Sequence, residues 1–191
     1  MNNNKLIDQF ILFIKNERKF SNHTIRSYKF DIQEFNEFLN SYDSKLDFND
    51  IDRSAIQFFI QKLSKKGLSD KTLQRKVSSI KSFYRFLLEN SHIKSNVSDL
   101  IPIPKSSKKL PNLLSKKEII NLMKLPDLST YDGKRDKSIL EIFYSTGIRI
   151  SELIKIKIDN IDLNKKLIKV FGKGNKERYV IIGKEALNSL V

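Results

Sequence analysis

The sequence predicts a mainly α chain in two parts: a four-helix unit over the first hundred residues, then an α+β unit with a three-stranded antiparallel sheet. Three observations predict it. Through the first half, apolar residues recur at steps of three and four, the period of one buried helix face. Three prolines, Pro102, Pro104 and Pro111, then surround the basic tract KSSKK and interrupt that pattern. Beyond SELIKI the period changes to two, as strands require. The expected division is residues 1–100, a basic Pro-rich linker over 101–112, and a second unit over 113–191.

The first helix is expected where Leu6, Ile7, Phe10, Ile11 and Ile14 fall on one stripe. In the second, Ile25, Tyr28, Ile32, Phe35 and Leu39 share a face, and Ser21 or Asn22 stands where an N-cap belongs. The third runs from Asp52 to Leu63, with Ile56, Phe59, Ile60 and Leu63 inward. It stops at KKG, where lysines suit the negative helix end and Gly67 suits a left-handed cap.

Ser69 is placed to cap the fourth helix, LSDKTLQRKVSSIKSFYRFLLEN. At about 100° per residue, Leu73, Val77, Ile80, Tyr84 and Leu87 share one side. The opposite side carries Lys71, Arg75, Ser78, Ser82 and Arg85. Long cations and short hydroxyls without an acid are the residue types that reach phosphates and base edges in a major groove. A merely solvated face usually mixes signs to gain i,i+4 pairs, and this one does not. The stretch SNHTIRSYK presents Thr24, Arg26, Ser27 and Lys29 in the same manner.

Charge points to the same class of partner. The 191 residues include 36 Lys plus Arg against 22 Asp plus Glu, a net charge of +14 at pH 7. That balance favours a polyanion, nucleic acid ahead of an anionic membrane surface. Thirteen phenylalanines within a 39% hydrophobic composition are enough for real cores. No cysteine occurs, which excludes disulfides, thiolate zinc sites and cysteine nucleophiles. His23 and His92 stand far apart among polar neighbours, without metal-ligand spacing, so neither metal nor cofactor is expected. No apolar run is long enough to span a bilayer, and MNNNKLIDQF lacks a basic region followed by an apolar core. A cytoplasmic protein without a membrane partner is expected.

In the second half, Ser115 with Glu118 reads as a capping box for a short helix ending near Met123. A longer helix, Lys134 to Ser145, is expected to bury Ile139, Leu140, Ile142 and Phe143 and to close on Gly147. The chain then turns through Ile148 and Arg149, and Ser151 is expected to cap the helix SELIKI. Arg149 is thereby pinned in a bend at a positive helix start, a setting that favours an oxyanion or phosphate. NIDL, KLIKVFG and ERYVIIG read as three strands, with Gly-Asn of KGNK supplying the positive φ of a tight turn. Lys173 sits at the tip between Gly172 and Gly174, with Lys176 and Arg178 following. Glycines let the backbone approach a ligand, and a lysine on a hairpin can deliver a charge or a proton to a phosphodiester. GKG is not a nucleotide P-loop, which needs GxxxxGK[ST] between strand and helix; here Asn175 replaces the hydroxyl residue and a strand follows.

TGIRISEL followed at this distance by FGKGNKERYVIIG resembles the tyrosine site-specific recombinases of the phage integrase family, and within them the Xer group. HTIRSYKFDIQEF and LSDKTLQRKVSSIKSFYRFLL look like that family's core-binding, SAM-like domain. KKLPNLLSKKEIINLM looks like the entry to its catalytic domain, which RDKSILEIFYSTGIRISEL continues. The resemblance implies cutting and rejoining of double-stranded DNA without metal or high-energy cofactor. A tyrosine attacks the scissile phosphate, leaving a 3′-phosphotyrosyl link and a free 5′-hydroxyl. Arg149 matches the family's first catalytic arginine and Lys173 its hairpin general acid, while Glu152 orients that arginine or supports the fold. The resemblance also implies a homo- or hetero-tetramer with a related recombinase on DNA. The roles implied are DNA integration and chromosome-dimer resolution, which serves chromosome partition at cell division in the cell cycle.

The family's His-x-x-Arg pair, its further His or Trp and its tyrosine nucleophile would lie beyond Val191. Tyr28, Tyr42, Tyr84, Tyr131, Tyr144 and Tyr179 stand in other contexts. Residues 113–191 are therefore expected to form the first, incomplete portion of a catalytic domain, in a C-terminally truncated chain that by itself cleaves nothing. The function expected is site-specific DNA recombination by a tyrosine recombinase; the alternative is a non-catalytic fragment occupying recombination sites. A basic RNA-binding protein is a weaker reading, because the stacked-aromatic strand motif of RNA-recognition modules is missing.

Overall fold

The computed structural model describes residues 2–43, 46–104, 112–172, 174 and 176–190. The chain forms two units, Met1–Lys109 and Leu110–Val191. Most of the expected linker lies outside the described residues.

The first unit contains α1 (Asn3–Asn16), α2 (Asn22–Tyr42), α3 (Arg53–Lys65) and α4 (Asp70–Glu89). Each start carries a side-chain cap: Asn2, Ser21, Asp52 and Ser69 accept the backbone N–H of Asn4, Thr24, Ala55 and Thr72. Gly67, at φ +78°, takes the left-handed turn after α3. The inward stripes are those the periodicity indicates, with Ile11, Ile25, Tyr28 and Ile60 at the half-buried margin. The core is rich in rings. Phe83 meets Phe48 edge-on at 4.8 Å and Phe10 at 5.3 Å, and Phe35 meets Phe59 at 5.0 Å. Such pairs add about 0.5–1.5 kcal/mol each beyond area burial. The Tyr84 hydroxyl, deep in this core, donates to the Phe48 carbonyl at 3.0 Å.

Helix α4 is buried over a wider arc than one stripe, since Lys76, Ser79, Phe83 and Phe86 are also inaccessible. The polar members of that arc meet Asp31 of α2, which is fully buried. Asp31 accepts from Lys76 Nζ at 3.0 Å and from Ser79 Oγ at 3.1 Å, and it pairs with Arg75. Lys76 also pairs with Glu34. The face read as acid-free thus has carboxylates behind it, donated by α2 rather than by α4 itself.

The second unit contains α5 (Lys116–Lys124), α6 (Tyr131–Thr146), the one-turn α7 (Ile150–Leu153), a 3-10 turn (Ile158–Asn160), strands β1 (Ile161–Asp162), β2 (Leu167–Phe171) and β3 (Glu177–Ile181), and α8 (Lys184–Asn188). Both halves of the Ser115–Glu118 capping box form. Helix α6 begins earlier than expected, at a Thr130 cap on the Gly133 N–H, and ends at Gly147 with φ +61°. Of its four expected core residues only Ile142 is fully buried; Ile139, Leu140 and Phe143 are half-buried. The buried cluster is small, comprising Ile142, Ile148, Ile168, Val170, Ile182 and Ala186, and it covers one narrow stripe of α6. Glu141, beside Ile142 in sequence, is buried too and is held by Lys137 Nζ at 2.8 Å, which also donates to the Met123 carbonyl and ties α6 to α5.

Ser151 does not cap α7. Arg149 occupies the N-cap position, and the helix lasts four residues rather than the length of SELIKI. The sheet is antiparallel in the order β1-β2-β3, with Ile161 opposite Ile168 and Val170 opposite Arg178. Strand β1 is shorter than NIDL. Gly174, at φ +76°, supplies the left-handed step between β2 and β3, while Asn175 lies outside the described residues. No helix among the described residues is long and apolar enough to cross a membrane.

Candidate active site and nucleic-acid interface

Arg149 is fixed at its backbone and free at its head. Gly147 closes α6, Ile148 anchors in the core, and Arg149 then takes extended backbone angles at the start of α7. Glu152, three residues on and only 2% exposed, turns its carboxylate back towards it. Its Oε2 accepts the Arg149 backbone N–H at 2.8 Å, and its Oε1 lies 3.3 Å from Arg149 Nη1. The Arg149 side chain nevertheless remains 74% exposed. Because α7 is a single turn, this placement owes more to Glu152 than to a helix dipole.

The same carboxylate receives a second arginine from β3. Arg178 donates Nη1 to Oε1 at 2.7 Å and Nη2 to Oε2 at 2.9 Å, a bidentate fork. The fork, then the Arg149 N–H, holds the Glu152 carboxyl at about 2, against an ordinary 4.5. Glu152 in turn raises Arg178. Two guanidiniums face one carboxylate, so the cluster keeps a net positive charge open to solvent.

Lys173, the second expected catalytic cation, lies outside the described residues. Its neighbour Gly172 donates its N–H to the Lys176 carbonyl at 2.8 Å, closing the base of the hairpin. A Cβ at Gly172 would lie 3.2 Å from Arg178 Nη1 and 3.4 Å from Glu152 Oε1. Position 172 therefore packs on the carboxylate that orders Arg149. A hollow of about 640 Å³ between residues 159–165 and the sheet does not include Arg149. An open cationic platform suits a ligand with the breadth of a duplex better than an enclosed pocket does.

In the first unit, Lys71, Arg85 and Arg26 are exposed, and no bond to their side chains is found among the described residues. Ser78 and Ser82 lie half-exposed between them on α4, with Ser78 Oγ donating to the Gln74 carbonyl. Arg75 is partly committed: besides Asp31 it reaches the Ser27 carbonyl at 3.4 Å, leaving 38% of its side chain in solvent. That contact brings the start of α2 against α4. Thr24, Ser27 and Asp31, spaced three and four apart, share the α2 stripe that faces Arg75.

Sequence reasoning passed over Arg178, Asp31, Lys76 and Ser79 as site or support residues. A partial signal for Arg178 existed: in ERYVI it alternates with Val180, the half-buried residue of β3, although 41% of its side chain stays in solvent. Lys76 likewise stands beside Val77 on the inward arc of α4.

Two family models match the chain: the phage integrase N-terminal SAM-like domain over residues 7–91 and the phage integrase family over residues 112–191. Tyrosine recombinase XerD of Staphylococcus haemolyticus is 38% identical over 186 residues, which cover 97% of this chain and 62% of that protein. XerD of Staphylococcus epidermidis is 38% identical over 188 residues, 98% of this chain and 63% of that protein. The chain thus spans somewhat under two thirds of the length of these relatives. Among solved structures, a λ integrase (75–356) dimer bound to a COC′ core site superposes with a TM-score of 0.76 at 16% identity, over 100% of this chain and 68% of that one. The Tn1549 transposon integrase in complex with transposon right end DNA gives 0.72 at 15% identity, over 96% and 62%.

Proposed function

The chain belongs to the phage integrase family of tyrosine recombinases, and from that premise we propose that it serves site-specific DNA recombination, holding duplex DNA on α2 and α4 and presenting Arg149 to a scissile phosphate. The λ and Tn1549 integrases of like fold are each bound to DNA, and we carry that ligand to this chain. The likeness to XerD favours chromosome-dimer resolution over phage or transposon integration as the setting. A homo- or hetero-tetramer with a related recombinase is the assembly proposed on DNA.

The observation that carries this reading is the Glu152 carboxylate. It fixes the Arg149 backbone, leaves the guanidinium in solvent and touches the base of the hairpin that bears Lys173. A pentacoordinate phosphorus gathers negative charge on its non-bridging oxygens. A guanidinium already oriented stabilises that charge more than the ground state and needs no reorganisation. The departing 5′-oxygen leaves poorly unless protonated, and Lys173 is the proposed donor. None of the six tyrosines here is assigned the attack.

Thr24, Arg26, Ser27, Lys71, Arg75, Ser78, Ser82 and Arg85 are the proposed DNA contacts. The test pairs a gel-shift titration on duplex DNA carrying a recombination site with a nicked suicide duplex. Duplex binding that weakens steeply with salt is expected; failure to bind duplex, or preference for single-stranded RNA, would reject the reading. Binding without a covalent adduct is the result expected of these residues by themselves, and an adduct would overturn the expectation that none of their tyrosines attacks.

A further inference from the structure

We propose that Arg178 is a positioning residue that keeps Arg149 available to phosphate by saturating the carboxylate on which Arg149 would otherwise close. The inference rests on reading Arg149 as a phosphate ligand and assigns a task to a residue outside that reading. A carboxylate offers about four lone-pair positions. At Glu152 all four are used: Oε1 takes Arg178 Nη1 and Arg149 Nη1, and Oε2 takes Arg178 Nη2 and the Arg149 backbone N–H. The two arginines share them unequally. Arg178 holds the in-line fork at 2.7 and 2.9 Å, while the Arg149 guanidinium has one contact at 3.3 Å.

Removing the Arg178 fork would free one position on each oxygen beside the other guanidinium that contacts Glu152 among the described residues. Arg149 would then make the bidentate pair itself. The local charge would fall from +1 to zero, and the head that faces solvent would turn inward onto its own carboxylate. Gly172 fits this arrangement, because a Cβ there would crowd Arg178 Nη1 at 3.2 Å. The hairpin and the Arg149 bend therefore take their register from one ion pair.

The alternative is that Arg178 only staples β3 to α7, and the two roles respond differently to a second mutation. Glutamine caps a helix N-terminus as glutamate does, so Glu152→Gln keeps the bond to the Arg149 N–H while removing the charge that would capture Arg149. The experiment follows the rate at which phenylglyoxal modifies Arg149 in the 191-residue chain, by mass spectrometry of the peptide carrying it. Arg178→Gln should slow the modification about threefold, the size of a modest, partly exposed ion pair. Arg178→Gln with Glu152→Gln should restore the original rate or exceed it. Arg178→Lys, which keeps the charge without the fork, should fall between and serves if Arg178→Gln does not fold. Equal rates in wild type and the Arg178 variants, or a double variant as slow as Arg178→Gln, would overturn the inference. Protection of wild-type Arg149 by inorganic phosphate tests the underlying reading separately: no protection rejects the phosphate role whatever Arg178 does.

Discussion

Asp31 and Lys76, 45 residues apart in sequence, meet inside the first unit with carboxylate and ammonium 3.0 Å apart and both side chains out of solvent. Each charge is tolerated there through its partners: Asp31 is shared by Lys76 and Arg75, and Lys76 also pairs with Glu34. Asp31→Ala should lower the stability of the chain by about 3–5 kcal/mol, since it removes the buried carboxylate that Lys76 and Arg75 share and leaves Lys76 to Glu34. Replacing both partners by apolar residues of similar size, Asp31→Leu with Lys76→Met, should cost less than the single change. Urea unfolding at neutral pH measures both; a loss below 1 kcal/mol for Asp31→Ala would mean that water or Glu34 alone satisfies Lys76.

Arg75 shares Asp31, so its removal would mix lost stability with lost DNA contact. Lys71 and Arg85 separate the two. The double variant Lys71→Ala, Arg85→Ala should unfold like the parent, yet bind duplex DNA more weakly and reduce the slope of log affinity against log salt by about two. A gel-shift titration at several salt concentrations reads this, and an unchanged slope would remove that face of α4 from the interface.

What the sequence disclosed follows the range of each interaction. Caps at Ser21, Ser69 and Ser115, and the left-handed glycines 67, 147 and 174, are settled within a few residues, so local chemistry identifies them. The four core stripes of the first unit are equally legible, because each helix shows its own period. The Asp31 cluster and the Glu152–Arg178 fork were not, since their partners come from different elements and no local rule pairs them. Ser151 misled for a related reason. A serine two residues past Arg149 fits a cap, but the carboxylate of Glu152 reaches back and moves the cap to Arg149. The half-buried Ile139, Leu140 and Phe143 show the limit of periodicity, which marks an apolar face without saying how much covers it.

Glu152 gives the second unit an acid-sensitive joint. The unfolded chain, with an ordinary carboxyl near 4.5, takes up this proton more readily than the folded one, in which the value is about 2. The ion pair's contribution is therefore fully present above pH 4.5 and is lost as pH falls from there towards 2. The Nε–H NMR signals of Arg149 and Arg178 should stay constant from neutral pH through 4.5 and move together only about a midpoint near 2. A midpoint at the ordinary carboxyl value would show that the fork does not persist in solution.

Gly133 marks where α6 meets the turn before it. A Cβ there would lie 1.9 Å from the Asp127 carbonyl oxygen, closer than any side-chain adjustment can relieve. Gly133→Ala should destabilise the second unit by about 1–3 kcal/mol, as overpacking against backbone does. Thermal unfolding measures the loss, and a neutral result would mean that the 126–130 turn shifts freely.

The most direct measurement of the central claim is a crystal structure of the chain soaked with tungstate, a tetrahedral oxyanion that stands in for the phosphate. One anion should lie within hydrogen-bond reach, about 3 Å, of both the Arg149 guanidinium and the Lys173 ammonium. An anion held by Arg149 with Lys173 turned away to another face, or no anion at Arg149 at all, would contradict it.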